Sequence, residues 1–491
     1  MRASLVMFLD SRLSFLAIIL TLSGILTLSG RVCPTRSVWA RAASAIDNEE
    51  ETDANPNEII DAPYTIAIFS TDATIPLNHR CMGILPQKSV SVSDPLFVHG
   101  FAILGPQKPI VVAAVDWCEI RNASYDAWRD RLSLAAGTTR ERVLVSSLHQ
   151  HDAPVIDADA QSLLDSVGLS NELFDPEFHE SVLQRVEEAL KDAITSTTPI
   201  THAGYSESVV EDIASNRRMV NSEGLVSFVR GSSSGREQVF REAETGLIDP
   251  KLRTLSFWNN DRCLLEYHTY ATHPMSYYGR GEVTSDFVGL ARERRRRDDR
   301  NVAQIYASGC SGDVTAGKFN DGTPESRRKL SDRLYEAMCH SSDHVQRLPL
   351  DNLVFRNEPL ALEPSRDQNL GIDFLNSQLH DATLTTEKRI LAAMGLASRN
   401  RVARGQTIDM PCLDFQVARV VLFPGESFVG YQAIAQELSP GKPVLPVGYG
   451  ECWTGYVPTE SAFLEGFHEN WLWVAPGAEA RIRSALLSLF R

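Results

Sequence analysis

The chain has 491 residues, 43% of them apolar and 23% charged, the balance of a globular protein rather than of a disordered or fibrous one. Its 63 acidic residues outnumber 48 basic ones, and the formal charge of −15 argues against nucleic acid as a partner, because it repels a phosphate backbone. Length alone allows about two to four domains.

Arg2 and Arg12 precede the apolar run LSFLAIILTLSGILTLSG, and Ala43 and Ala45 fit a small-residue cleavage site. Residues 1–45 therefore read as an export signal or, if uncleaved, as an N-terminal membrane tether, which puts the protein outside the cytoplasm, secreted or periplasmic. No later segment is apolar enough to span a bilayer. Residues 46–63, IDNEEETDANPNEIIDAP, are acidic without apolar period and read as a flexible lead-in. Eight cysteines show no CxxC spacing; losing Cys33 with the signal leaves an odd number, compatible with one or two disulfides in an oxidising compartment.

Folded structure is expected from Tyr64. TIAIF, FVHGFAIL and PIVVAAVDW are short runs rich in Val and Ile, bounded by Pro and Gly, as buried strands are. Asp175 and Pro176 form a cap and first turn ahead of a helix whose Val182, Val186, Leu190 and Ala193 share one face, and EARIRSALLSLF predicts a closing helix. Residues 64–491 show no repeat, long linker or composition break. They predict one large mixed α/β domain, central β-sheets flanked by helices.

Five stretches carry chemistry. In VSSLHQHDAP, a strand RVLVSS leads to His149 and His151; in extended backbone alternate side chains share a face, so both imidazoles can reach one cation. In the second, a strand from Leu264 runs into His273, then a Gly-bearing loop, then Ser285-Asp286 in capping position before a basic helix. His268 reads as a satisfied strand histidine, and Arg292 with Arg294 to Arg297 as a solvated helix face. The third, SGCSGDVTAGKF, follows a strand from Val302; Gly309 and Gly312 permit close approach of a ligand, and Asp313 and Thr315 offer a carboxylate and a hydroxyl. ARVVLFPGES aims Glu426 from a strand end, and GECWTGYVPTE puts Trp453 and Tyr456 in a loop.

In this order the five stretches resemble the neutral ceramidase family, secreted amidases that cleave the N-acyl bond of ceramide. The family's HTHSGP stands here as HQHDAP, its GDVSP as GDVTAG, its PGE as PGES and its YxxYxxT as WTGYVPT, with YATHPMS as its second histidine-bearing strand end. ATIPLNHRCMG ahead of DPLFVHGFAIL extends the likeness over about residues 64–470. The resemblance implies a zinc ion on His149, His273, Glu426 and Tyr456, with His151 beside the substrate carbonyl. It implies substrate binding by Arg217, in SNRRMV, where Arg218 replaces the small residue of the family's NRSP, and a carboxylate near the attacking water at Asp313.

A zinc ion so held lowers the pKa of water to about 7 and polarises the amide carbonyl. His151 and Tyr456 would donate to the oxyanion, and His151 or Asp313 would protonate the leaving amine. The substrate implied is a lipid-like N-acyl amide, ceramide by family expectation, with peripheral contact to a membrane.

Three departures stand out. Thr315 replaces the family serine, which a zinc–water reaction does not require and a covalent one does. Asp152 brings a charge to a loop that is neutral in the family. The family's C-terminal β-sandwich-like domain is not expected after GFHENWLW. The competing readings are a secreted non-catalytic binding protein that keeps the fold, and a barrel amidohydrolase, which calls for regular strand–helix alternation and a late Asp.

Overall fold

The computed structural model describes residues 62–467 and 474–491. The expected export signal, its cleavage site and nearly all of the lead-in lie outside the described residues. Strand Tyr64–Asp72 opens the fold where the apolar pattern begins. It sits inside a five-stranded sheet whose order is Val143–Ser147, Ile110–Val115, Phe97–Leu104, Tyr64–Asp72, Thr198–Ile200. Only the first pair is parallel. The inner strand Ile110–Val115 is buried along its whole length, which is why it reads as a continuous apolar run rather than an alternation.

A second sheet repeats this plan in the order Ala303–Ser308, Arg262–Tyr270, Lys251–Asn259, His202–Val209, Gln346–Pro349, again with only its first pair parallel. The third runs Val354–Leu360, Ile408–Asp414, Arg419–Leu422, Val444–Val447, its last pair parallel. The mixed α/β class is therefore as expected, with central sheets flanked by helices.

Helix Pro176–Ile194 forms as the sequence predicts. Asp175 accepts from the backbone N–H of Glu177 and Phe178, and Val182, Val186 and Leu190 pack into the core of the first sheet. Helices Asn122–Ala136 and Thr386–Ala403 join that core, while Ala478–Leu489 covers the third sheet with Ile482, Leu486 and Leu489. Among the described residues no helix is long and apolar enough to cross a membrane.

Two expectations fail here, and one possibility is not realised. All seven described cysteines are buried and free, so the disulfides that the sequence leaves possible do not form among them. Ser285 occupies the N-cap position of helix Asp286–Asp298 without capping it, because its hydroxyl is engaged by Asp94. The arginines of that helix are not one solvated face. Arg292 is buried and holds both oxygens of the buried Asp116 at 2.6 and 2.7 Å, and Arg295 turns to Glu266 at 3.3 Å. Arg296 and Arg297 do remain on the outside, against Glu293. His268, by contrast, is a satisfied strand histidine, bonded to Thr254 and Gln304.

Candidate metal centre

The chemistry-bearing stretches meet because each follows the C-terminal end of a strand that has a parallel neighbour. His149 follows Val143–Ser147, His273 follows Arg262–Tyr270, Asp313 follows Ala303–Ser308, Glu426 follows Arg419–Leu422, and Tyr449 follows Val444–Val447. Ligand sites in α/β sheets form at such carboxyl ends. Backbone bonds stitch the three loops together: Ser147 N–H donates to Tyr449 O at 3.0 Å, and Gly448 N–H to Ser308 O at 2.8 Å.

His149 and His151 come together, with ring centroids 5.0 Å apart, though not by strand alternation. The strand ends at Ser147, and His149 adopts the left-handed conformation with φ 70°. A histidine there is uncommon and is held by its surroundings. Its N–H donates to Trp117 O at 2.9 Å, and its ring stacks on Tyr449, itself at φ 54°, with centroids 4.4 Å apart.

Three imidazoles share one orientation. Nδ1 lies 3.0 Å from Cys118 O in His149, 3.0 Å from His149 O in His151, and 2.6 Å from Ser311 O in His273. A carbonyl only accepts, so in each ring Nδ1 carries the proton and the neutral form keeps its lone pair on Nε2. Glu426 Oε2 lies 3.2 Å from Nε2 of His149 and 3.1 Å from Nε2 of His273. These three ligand atoms all fall within 4.8 Å of one another, and all three residues are buried.

Two imidazole lone pairs and one carboxylate, each ring fixed by a backbone carbonyl, fit a divalent cation. The fit extends to size, since four-coordinate zinc with bonds of about 2.0–2.1 Å separates its ligand atoms by about 3.3 Å. Burial opposes charge on His149, but Glu426 outweighs it and holds this pKa above the ordinary value. Burial lowers His273 despite the bond to Glu426, and lowers His151 well below its usual range, with His149 and His273 adding to the effect. Glu426, although buried, is held far down by the two histidines.

Cys118, His149 and His151 form a second close group, yet it is poorer in donors. Burial pushes the Cys118 thiol well up, away from the thiolate a metal needs, and His149 Nδ1, 3.8 Å from the sulfur, already serves Cys118 O.

The remaining predicted residues divide. Tyr456 is not in a plain loop: it pairs in register with Glu426 in a two-residue parallel bridge, and Arg217 NH1 donates to its phenol oxygen at 2.5 Å. His149, His151, Glu426, Tyr456 and Arg217 all line one cavity of about 160 Å³. Asp313 and Thr315 do not line it. Asp313 is buried, with Oδ1 accepting from Val429 N–H at 2.8 Å and Oδ2 from Asn216 and Arg218, each at 3.0 Å. It therefore fastens SNRR to the segment after Glu426, and Arg218 is explained as its ion-pair partner. Thr315 is buried with an unpartnered hydroxyl, and its backbone bridges Ser215 and His273.

Gly309 and Gly312 allow close approach of protein rather than of ligand. A Cβ on Gly312 would stand 2.1 Å from Glu426 O, and one on Gly309 2.4 Å from Gln432 Oε1. Asp152 does not present its charge to the cavity either. It is buried, accepts from Gly279 N–H at 3.0 Å, and burial pushes its pKa up to about 6.

Sequence reasoning missed Glu119, Arg121 and Tyr449. Glu119 and Arg121 line the cavity directly after the apolar run PIVVAAVDW. Burial, with Glu426 adding, raises Glu119 against the pull of Arg121. Tyr449 bonds Ser311 Oγ at 2.7 Å behind the histidines. A charged pair at a strand end, read as the histidines are, is the signal that would have found Glu119. Much of the remaining lining is apolar, from Met82, Ile84, Leu85, Val155, Leu391 and Met394.

No protein-family model matches the sequence, and a comparison with curated proteins finds no match. Solved structures do match. Neutral ceramidase from Pseudomonas aeruginosa superposes with a TM-score of 0.65 at 15% identity, over 88% of this chain and 74% of that one. A ceramidase complexed with C2 gives 0.64 at 15% identity, over 88% and 75%. The fold is neutral ceramidase-like. At this identity the ceramidase likeness is one of fold, and the buried His149, His273 and Glu426 group is what this chain itself contributes.

Proposed function

We propose that the protein is a zinc-dependent hydrolase of N-acyl amides, with N-acylsphingosine, ceramide, as the expected substrate and sphingoid base plus fatty acid as products. One observation carries the reading: two imidazoles with Nδ1 fixed by backbone carbonyls share Glu426 at the wall of a largely apolar cavity. The ceramidase-like fold and a neighbour complexed with C2 support it.

Zinc held by His149, His273 and Glu426 supplies Lewis acidity and a water of lowered pKa. His151 acts as the base. Its Nδ1 is committed to His149 O and burial keeps it neutral, so Nε2 is an acceptor rather than the oxyanion donor expected from the motif. It takes the proton of the attacking water as oxygen adds to the carbonyl carbon, then passes it to the amine nitrogen as the C–N bond breaks. Arg217 and Tyr456, bonded to each other, are the donors for the oxyanion. Asp313, with both oxygens taken, positions Arg217 by accepting from the neighbouring Asn216 and Arg218. Thr315 has no part in the bond cleavage. The apolar wall receives the acyl chain, and the predicted export signal supports action outside the cytoplasm.

Metal analysis with a panel of N-acyl amides, with and without chelator, tests the proposal. Stoichiometric zinc with chelator-sensitive turnover is expected, and His149→Ala should lose both. Turnover that survives complete removal of metal would contradict it.

A further inference from the structure

Glu119 is only 5% exposed and lines the same cavity. Arg121 NH1 donates to its Oε2 at 2.8 Å, whereas among the described residues no hydrogen bond reaches Oε1. The nearest candidate, His149 Nδ1 at 3.9 Å, already donates to Cys118 O. Arg121 is engaged elsewhere, by Asp157 at 3.4 Å, Ser398 Oγ at 3.1 Å and Trp453 O at 3.3 Å. Oε1 is not sealed in the interior; it opens onto the cavity with its acceptor capacity unused, available to a donor on a bound molecule. Oε1 lies 3.9 Å from Nδ1 of the imidazole whose Nε2 faces Glu426, so the His149 ring stands between the two carboxylates. That separation suits a substituent of the substrate rather than the scissile bond. The alkyl part of a fatty acyl chain carries no hydrogen-bond donor and is served by the Met82, Ile84 and Leu85 wall.

We infer that Glu119 is a specificity-determining residue whose Oε1 accepts a hydrogen bond from a hydroxyl or ammonium group on the amine half of the substrate. The protein thereby selects N-acyl amino alcohols or N-acyl diamines over N-acyl alkylamines. The inference rests on the amide-hydrolase reading above.

The test uses the zinc-loaded full chain and four lauroyl amides: those of ethanolamine, ethylenediamine, propylamine and 2-methoxyethylamine. The first two should exceed the propyl compound by at least about 10-fold in kcat/KM, and their ratio tells hydroxyl from ammonium recognition. In Glu119→Gln the amide oxygen turns to Arg121 and its NH2 group faces the cavity, so an acceptor becomes a donor. The preference should then fall to within about 2-fold or pass to the methoxy compound, with zinc content unchanged. A wild type indifferent to the donor, or a variant that keeps the original preference, overturns the inference. If the wild type turns over none of the amides, the hydrolase reading fails instead. Calorimetric binding of the four compounds then reads the same preference, and equal affinities overturn the inference too.

Discussion

Glu426 and Tyr456 stand opposite each other in a two-residue parallel bridge, so a metal-capable carboxylate and a phenol 30 positions apart are fixed by one pair of backbone segments. The phenol oxygen accepts from Arg217 at 2.5 Å, and both residues line the cavity, where they are proposed to donate to the oxyanion. Tyr456→Phe should therefore keep zinc and the bridge while lowering kcat by about 100-fold to 1,000-fold. Metal analysis of the purified variant decides the role: loss of zinc would return Tyr456 to the ligand set that the family resemblance implies.

Much of this centre is legible from sequence because His149, His273 and Glu426 each follow an apolar run, and strand ends are where such runs deliver polar side chains. What is not legible depends on partners distant in the chain. Asp152 reads as a charge offered to ligand, yet Gly279, 127 positions on, takes it into the interior. Arg292 reads as one of five solvated arginines until Asp116, 176 positions earlier, draws it into the interior. The left-handed turn at His149 leaves no trace in a pattern of alternation, since His149 and His151 share a site through the turn and not through the pleat.

The Arg292–Asp116 pair gives a stability prediction. Both oxygens of Asp116 are held by Arg292, and Phe97 N–H donates to Oδ2 at 3.0 Å. Arg292→Met leaves a buried carboxylate without its cation and should cost about 3–5 kcal/mol in chemical denaturation. Arg297→Met, on a side chain 68% exposed, should cost no more than about 0.5 kcal/mol. Equal losses would show that burial of the pair does not govern its contribution.

Stability should also depend on pH through Glu451. Burial pushes this carboxyl up to about 8, with Asp126 adding to it, against the pull of Arg401, whose Nε lies 2.5 Å from Oε1 and whose guanidinium is shared with Asp126. The folded state therefore holds a proton that the unfolded chain releases near its ordinary value of 4.5. This contribution is fully present below that value and is lost as pH rises towards about 8, an effect on the order of 5 kcal/mol. Glu451→Gln should flatten the decline in denaturant midpoint between pH 5 and pH 8, and an unchanged slope would assign the decline to other groups.

The central claim is that His149, His273 and Glu426 hold one zinc ion. Diffraction from crystals of the zinc-loaded protein at the zinc absorption edge tests it most directly. A single anomalous peak is predicted about 2.0–2.2 Å from Nε2 of both histidines and from a Glu426 oxygen, with no sulfur at bonding distance. A peak bonded to Cys118 Sγ, or no peak near Glu426 after zinc saturation, would contradict the account.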